Sequence, residues 1–154
     1  EGLWRRSLYT YIKRQAPPPS LCLFDGPTRE KCTLSRPRTN TPLQALYLLN
    51  DDIYVEAARN LAQDCLSAHP SDDDRFRAIS QRVLSRAFHA DELQPLRGLL
   101  DRQRQRFSAD PLSASRWLAV GTTAVPTSAG TIDLAAWTVV VHTILNLDEA
   151  VTRR

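Results

Sequence analysis

The side chains that could do chemistry are concentrated in an irregular stretch of the chain. This stretch contains Asp25, Arg29, Glu30, Arg36, Arg38 and Asn40. Asp25 and Glu30 are the candidate acid and base of an enzyme that would act on a glycan, in which Arg29 and Arg36 would stabilise negative charge. The same arginines could instead form a surface that binds an anion or a polysaccharide. In a third arrangement Asp25, Arg29, Arg36, Arg38 and Asn40 satisfy one another as a buried polar network.

The third arrangement, a non-catalytic module, is the one we favour. An unpaired buried charge costs several kcal/mol, so ionic groups held against a core are expected to pair. Spacing along an irregular loop does not establish that Asp25 and Glu30 face a common cleft, which an enzyme would need. The catalytic residues, if the chain has any, are therefore not assigned from the sequence.

The residues after this stretch predict a buried helix. Thr41 is a good N-cap, Pro42 stands at the first helical position, and Gln44 completes a capping box with Thr41. Residues 43 and 45–49 are all apolar, and a helix that is apolar on every side is normally buried. We therefore expect the helix over 42–49 to lie at the centre of the core and to anchor the polar stretch.

Charge is distributed unevenly along the 154 residues. Residues 1–50 hold eight Lys/Arg against three Asp/Glu, a net charge of +5, whereas residues 51–154 hold twelve against fourteen, a net charge of −2. Eighteen of the twenty cations are arginine, which forms bidentate pairs with carboxylates that lysine cannot form. We interpret this as arginine–carboxylate pairing inside the domain, with an anionic partner as the alternative. Nucleic acid is not expected, because no binding motif accompanies the modest excess.

Cysteine spacing argues against a metal or haem in this segment. Cys22, Cys32 and Cys65 form neither the C-x-x-C pair of a zinc site nor a C-x-x-C-H haem-attachment motif. Their odd number leaves two arrangements open: one disulfide with a free thiol, or three buried reduced thiols. The longest apolar run, 134–147, contains polar residues and is shorter than the ~20 residues of a membrane span, so no transmembrane segment is expected. The chain has no methionine, and we expect it to be a piece of a longer protein.

Apolar periodicity and capping residues predict an all-α fold. A basic amphipathic helix is expected over 3–14, and the proline triplet that ends it begins a long ordered Pro-rich loop over 17–40. Further helices are predicted over 52–68, over 72–88 and over 132–147. Ser71 and Asp74 form the capping box of the second of these. Two more helices are predicted from Asp91 to Phe107 and from Asp110-Pro111 to a stop at Gly121.

The segment 138–144 has strand propensity, but its flanks favour helix and no partner strand is visible. His142 lies in this segment and is expected to be a core histidine with one hydrogen-bond partner. The predicted fold is an irregular multi-helix bundle of about six helices. Residues 1–154 form one helical domain or the C-terminal part of a larger one, with a basic helix plus loop over 1–40 and a helical core over 41–154.

Six segments of the chain resemble a family of uncharacterised domains. They are R-R-S-L-Y-T-Y-I-K-R-Q-A-P-P-P-S (5–20), F-D-G-P-T-R-E-K-C-T (24–33), R-T-N-T-P-L-Q-A-L-Y-L-L-N-D (38–51), V-E-A-A-R (55–59), A-A-W-T (135–138) and L-N-L-D-E-A-V-T-R-R (145–154). The family closes large planctomycete surface proteins, where it follows a planctomycete-type cytochrome c module. The chain departs from the family pattern at Gly26, usually alanine, at Ile12, usually tryptophan, and at Cys22, which the pattern lacks.

This resemblance implies where the protein is located and which domains accompany it, but it does not imply a reaction. It implies an extracytoplasmic location, periplasmic or at the cell surface, because c-type haem proteins mature outside the cytoplasm. It implies haem c elsewhere in the parent protein, with the other domains of that chain as partners, and it implies that the 154 residues are the C-terminal part of the family domain. No catalytic residue of the family is available to be carried over to this sequence.

Overall fold

The computed structural model describes residues 9–13, 15–28, 30–35, 37–124 and 130–152. The chain divides into two compact units, an N-terminal unit of residues 1–47 and a C-terminal unit of residues 48–154. All regular secondary structure in the described residues is helical, so the predicted all-α class is confirmed.

Eight helices are found in the described part of the chain. They are α1 (Pro19–Leu23), α2 (Pro42–Asn50), α3 (Asp52–Ala68), α4 (Asp72–Val83), α5 (Ala90–Ala109), α6 (Pro111–Leu118), α7 (Thr131–Leu145) and α8 (Asp148–Val151). Six of these helices have at least eight residues, in agreement with the predicted number.

Helix α7 is the centre of the C-terminal unit. Nine of its fifteen residues are buried, and it packs mainly against α3 and α5, with α6 and α4 also in contact. Trp137 is 1% exposed, and its ring lies 4.8 Å from that of Phe76 on α4, centroid to centroid. Because each buried large apolar side chain contributes about 1.5–3 kcal/mol, this helix supplies much of the stabilisation of the unit.

The choice of helix over strand for the segment 138–144 is confirmed. Thr138 Oγ1 donates to the carbonyl oxygen of Leu134 at 2.7 Å, and Thr143 Oγ1 donates to that of Val139 at 2.9 Å. These bonds to the residue four positions earlier satisfy hydroxyl groups that would otherwise disfavour a helix interior. Burial on several sides then outweighs the strand propensity of the valines.

Short polar side chains begin three helices of the C-terminal unit. Asp51 Oδ1 accepts from the N–H of Ile53 at 2.9 Å at the start of α3. Ser71 Oγ accepts from the N–H of Asp74 at 3.2 Å, and Asp110 Oδ1 accepts from that of Ser113 at 3.1 Å. The predicted caps of α4 and α6 are thus confirmed, since each satisfies an N–H that has no partner within its helix.

Helix α2 forms where it was predicted, but its expected place at the centre of the core is wrong. Only Gln44 and Leu48 are buried in this helix, whereas Leu43, Leu46 and Leu49 are 65%, 58% and 44% exposed. The helix is apolar as its sequence indicates, but none of the described residues covers these three leucines. The all-round apolar helix that is buried is α7.

The N-terminal unit differs from its predicted secondary structure in two places. The helix expected over 3–14 is absent at residues 11–13, which are irregular, and residues 1–8 and 14 lie outside the described ranges. The predicted loop over 17–40 also contains a short helix. Pro19 begins α1, because proline is well suited to the first helical position.

Two boundaries in the C-terminal unit were also predicted wrongly. Helix α4 ends at Val83 and not at residue 88, because Ser85 adopts a left-handed conformation with φ of 59°. The N-cap position of α5 is His89 and not Asp91. Glu92 explains this start, since its carboxylate accepts from the N–H of His89 at 2.8 Å.

The segment after α6 turns at a glycine. Helix α6 ends at Leu118 with Ala119 as its C-cap, so the predicted stop at Gly121 lies two residues beyond the cap. Gly121 has φ of 99°, a conformation that residues with a Cβ rarely adopt. In the connection from Gly121 to α7, residues 125–129 lie outside the described part.

Candidate functional site

The amide of Gln44 joins the predicted polar stretch to the start of α2. Its Oε1 accepts from the N–H of Thr41 at 2.8 Å, and its own N–H donates to Thr41 Oγ1 at 3.3 Å, which is the predicted capping box. Its Nε2 donates to the carbonyl oxygen of Leu23 at 2.8 Å and to Thr39 Oγ1 at 3.1 Å. One buried side chain therefore caps the helix and also connects two segments of the loop.

Asp25 continues this network. Its Oδ2 accepts from the N–H of Thr39 at 2.9 Å and from Thr39 Oγ1 at 2.8 Å. Asp25 has φ of 57°, a left-handed conformation that aspartate tolerates better than most residues. The hydrogen bonds run from Gln44 through the Thr39 hydroxyl to the carboxylate, so the acidic candidate of the loop is held in a fixed position.

The predicted cluster is only partly described. Asp25 is partly exposed and Arg38 and Asn40 are exposed, so the expected burial is wrong for these three residues of the network, and Glu30 is exposed as well. The physical reason is that the described residues of the N-terminal unit bury no apolar side chain against which a network could be enclosed. Arg29 and Arg36 lie outside the described residues. Joint action of the six residues as a binding or catalytic cluster stays a prediction.

The turn after Asp25 has little space. The N–H of Gly26 donates to the carbonyl oxygen of Leu21 at 2.6 Å, and a Cβ at position 26 would lie 2.5 Å from that oxygen. The alanine that is usual in the resembling family could therefore be accepted here only if the end of α1 shifted. Gly26 therefore permits the tight turn of the backbone at the end of α1.

In the C-terminal unit, arginine–carboxylate pairing includes one buried pair, Glu56 and Arg59 on α3. They are 2% and 1% exposed, and Arg59 Nη2 lies 3.9 Å from Glu56 Oε1. The hydroxyl and N–H of Thr123 bond to Oε1, and the N–H of Thr122 bonds to Oε2 at 3.0 Å. These donors, the Thr123 hydroxyl first, hold the pKa of Glu56 below its usual value although burial acts to raise it.

Arg59 bonds to the same segment from the other side. Its guanidinium donates to the carbonyl oxygens of Leu118, Val120 and Thr123, the last at 2.8 Å. Glu56 accepts hydrogen bonds from N–H groups of the segment after α6, and Arg59 donates hydrogen bonds to carbonyl groups of the same segment. The pair therefore satisfies a stretch of irregular backbone that would otherwise be costly to bury.

The acidic triplet at the start of α4 forms ion pairs. Asp72 Oδ2 accepts from Arg104 at 2.7 Å, Arg104 Nε donates to Asp133 Oδ1 at 2.7 Å, and Asp72 Oδ1 accepts from Arg75 at 2.8 Å. Hydrogen bonds from Arg104 lower the pKa of Asp72, and the same bonds raise the pKa of Arg104. Asp73 pairs with Arg97. The triplet thus joins the starts of α4 and α7 to α5, beyond the capping role expected from the sequence.

Arg86 holds two carboxylates near the C-terminal end of the described chain. Its Nη1 and Nη2 donate to Glu92 at 2.8 and 2.7 Å, and its Nε and Nη2 donate to Glu149 at 2.8 and 2.7 Å. The Arg86 hydrogen bonds lower the pKa of Glu92 to about 2 and also lower that of Glu149. The arginine links the α4–α5 turn to α8.

The cysteines and His142 do not form a reactive centre. All three thiols are free; Cys22 and Cys32 are exposed, so the alternative of three buried thiols is wrong, and burial raises the pKa of Cys65. His142 is 5% exposed, and its Nε2 lies 2.9 Å from the carbonyl oxygen of Leu48, as expected for a core histidine.

Within the described ranges, no group of three or more His, Cys, Asp or Glu side chains could hold a metal ion. No described helix combines the length and the apolar character that would let it cross a membrane.

Sequence reasoning missed the residues that hold the loops most firmly. The sequence predicts the capping role of Gln44 but not its bond to Thr39. Glu56 and Arg59 lie in the V-E-A-A-R segment, for which no role is predicted from the sequence. One signal was available: Arg59 lies four residues after Val55 and three before Ala62, on the same buried side of α3. The partners at 118–123 could not be inferred, because they lie about sixty residues away in sequence.

A family model described as "PSD1: Protein of unknown function (DUF1553)" matches residues 1–100. Comparisons with curated proteins and with solved structures gave no match. The matched region contains α1–α4, the capping box at Thr41 and Gln44, and the buried pair on α3. Because the model covers more than half of the 154 residues, the chain belongs to the PSD1 family, DUF1553.

Proposed function

We propose that this chain is a non-catalytic helical module of a large planctomycete-type extracytoplasmic protein associated with cytochrome c. Its role is to interact with other domains of the parent chain. The cytochrome association and the location come from the sequence resemblance. The interaction role is supported by the apolar surface of the N-terminal unit, and this surface is the observation on which the proposal depends.

The N-terminal unit exposes several large apolar side chains. Tyr9, Tyr11, Leu34, Leu43 and Leu46 are between 58% and 100% exposed. Among the described residues of this unit, Gln44 alone is buried, and it is polar. A contiguous exposed apolar patch usually marks an interaction site, and we propose that these side chains contribute to one.

The charge of the same region indicates what kind of surface covers it. Residues 1–50 carry a net charge of +5. Lys31 and Arg38 are exposed in the stretch that precedes α2. A complementary partner would present apolar side chains surrounded by carboxylates, because opposite potentials favour the correct register.

The titration behaviour of the C-terminal unit supports a structural role for its carboxylates. The pKa values of Glu56, Asp72, Glu92 and Glu149 are all lowered by hydrogen bonds from neighbouring side chains. A general acid that works near neutral pH needs a raised pKa. These four groups are instead held as anions at neutral pH and are suited to ion pairing.

Hydrogen exchange can test whether the apolar surface is covered in the parent protein. The isolated chain and the parent protein would be compared by mass spectrometry, peptide by peptide. We expect amides of residues 30–49 to exchange at least tenfold more slowly in the parent protein, because a docked partner would prevent local opening. Peptides around Leu112, which is 70% exposed in the C-terminal unit, provide the internal reference.

Matched variants make the same test specific. Leu43→Asp should remove the added protection in the parent protein, whereas Leu112→Asp, at a residue of similar exposure, should leave it unchanged. Equal exchange of residues 30–49 in the two proteins would disprove the proposal. Loss of a glycan-acting or haem-linked activity in Asp25→Asn or Glu30→Gln would favour the enzyme alternative instead.

A second candidate is a surface that binds a polysaccharide or another anionic ligand. The exposed cations Lys31 and Arg38 favour it. Sulfated and neutral glycans would be compared in a binding screen, with Arg36→Ala and Arg38→Ala as variants. Binding of the sulfated glycan alone, weakened in both variants and at high salt, would support this candidate.

A further inference from the structure

Helix α2 presents three leucines to solvent on one side. Leu43, Leu46 and Leu49 are 65%, 58% and 44% exposed, whereas Gln44 and Leu48 on the other side are buried. The leucines follow one another at intervals of three residues, so they form one oblique ridge on the surface of the helix. A ridge of this kind inserts into the groove between side-chain rows of a facing helix. The shape of this side of α2 therefore fits a second helix.

The other side of α2 is held in place within the N-terminal unit. Gln44 Nε2 donates to the carbonyl oxygen of Leu23 at 2.8 Å, and the Tyr47 ring lies edge-on to that of Phe24, with centroids 5.9 Å apart. These contacts fix the rotation of the helix about its own axis. A preformed surface loses little conformational entropy on binding, which favours association.

The segment before α2 is cationic. Lys31 and Arg38 are exposed there, and the exposed Glu30 offsets only part of their charge. Residues 1–50 together carry a net charge of +5. A second copy of the chain would bring two such regions together, and contacts between like charges are unfavourable. The charge therefore selects a partner that has carboxylates beside its apolar side chains.

We propose that α2 is covered by an acidic amphipathic helix from another domain of the parent chain. The leucine ridge of α2 packs into the apolar face of that helix, and carboxylates beside this face pair with Lys31 and Arg38. The apolar contact supplies most of the binding energy, and the ion pairs set the register. This inference rests on the proposed function and identifies what covers the N-terminal unit.

Carbodiimide cross-linking of the parent protein tests this partner, because the reagent joins an amine directly to a carboxylate that touches it. Lys13 and Lys31 are the only lysines of the 154 residues, and both are exposed in the N-terminal unit. Mass spectrometry identifies the carboxylates joined to Lys31, and cross-links that also form in the isolated chain are subtracted. We expect Lys31 to be joined to an Asp or Glu of another domain, in a segment with apolar residues at i, i+3 or i+4, and i+7.

Variants separate the apolar contact from the ionic one. Leu46→Asp should reduce the yield of this cross-link about tenfold or more, because a carboxylate is costly to bury at an apolar contact, whereas Leu112→Asp should leave the yield unchanged. Lys31→Arg keeps the charge without the reactive amine, so the cross-link should vanish while slow hydrogen exchange of residues 30–49 persists. Lys31→Glu should accelerate that exchange about three- to fivefold. The thermal midpoint of each variant verifies that it is folded.

The outcomes distinguish this proposal from the proposed function. Slow exchange of residues 30–49 without a Lys31 cross-link to another domain would overturn the acidic partner and leave the proposed function standing. A Lys31 cross-link between isotopically labelled and unlabelled parent proteins would mean that a second copy covers α2. A cross-linked segment without helical apolar spacing would refute the helix. Equal exchange in the isolated chain and the parent protein would overturn both proposals.

Discussion

Replacement of Glu56 by glutamine should destabilise the C-terminal unit far more than its small change in shape suggests. The carboxylate accepts from the N–H of Thr123 at 2.9 Å and from that of Thr122 at 3.0 Å, one on each oxygen. A glutamine amide has only one acceptor oxygen, so its NH₂ group would face one of these donors. The change would also leave the buried charge of Arg59 without its anion.

The magnitude follows from these losses. A buried donor without a partner costs about 1–3 kcal/mol, and removing one member of a buried ion pair costs about 3–5 kcal/mol in total. We therefore expect Glu56→Gln to lower the free energy of unfolding by about 3–5 kcal/mol. Because a domain is stabilised by only about 5–15 kcal/mol, the variant is measured at low temperature, together with a less destabilising variant of the same contact. Thr123→Val, which removes one hydroxyl donor, should cost about 1 kcal/mol.

Urea denaturation followed by circular dichroism measures these changes. Asp64→Asn is the matched control, because Asp64 and Arg82 form an exposed pair 3.5 Å apart whose loss should change the free energy of unfolding by less than about 1 kcal/mol. The pKa of Glu56 is lowered in the folded state, so its contribution is present above its unfolded pKa and is lost as pH falls through the folded value. The difference between wild type and Glu56→Gln should shrink in acid.

The reasoning would be refuted if Glu56→Gln cost no more than Asp64→Asn at neutral pH. It would also be refuted if the cost did not decrease on acidification. Either result would mean that the carboxylate is accessible to water or that the segment after α6 is held by other contacts.

Three further predictions concern the glycines, the ionic turn and the thiols. Gly121→Ala should lower the free energy of unfolding by more than about 2 kcal/mol in urea denaturation, because φ is 99° and a Cβ would lie 2.5 Å from a Glu56 oxygen. Gly98→Ala, within α5, should instead raise the free energy of unfolding by about 0.5–1 kcal/mol. Glu92 has a pKa of about 2 in the folded state against about 4.3 unfolded, so its stabilisation should be complete above about pH 5 and lost towards pH 2. The urea midpoints of wild type and Glu92→Gln should converge over that interval. Thiol labelling of the native protein should modify Cys22 rapidly and Cys65 only on unfolding; equal rates would contradict the burial of Cys65.

The sequence by itself determined the six longer helices, α2 to α7, and most of their starts. Ser71 and Asp110 mark helix starts because their side chains satisfy backbone N–H groups within three residues, which is a local matter. The capping box at Thr41 and Gln44 is equally local and was found for the same reason. The assignment of 132–147 as helix, close to the observed α7, rested on the composition of its flanks.

Tertiary structure alone decided which helix is buried and what the ionic groups contact. Helices α2 and α7 are both rich in apolar residues, but α3 and α5 pack around α7, whereas Leu43 of α2 stays 65% exposed. An apolar composition allows a helix to be buried, but the helix is buried only where other helices pack against it. In the same way, Glu56 bonds to backbone sixty-six residues away, a partner that no local pattern encodes. The ionic chemistry of this protein is set by chain segments that meet only after folding.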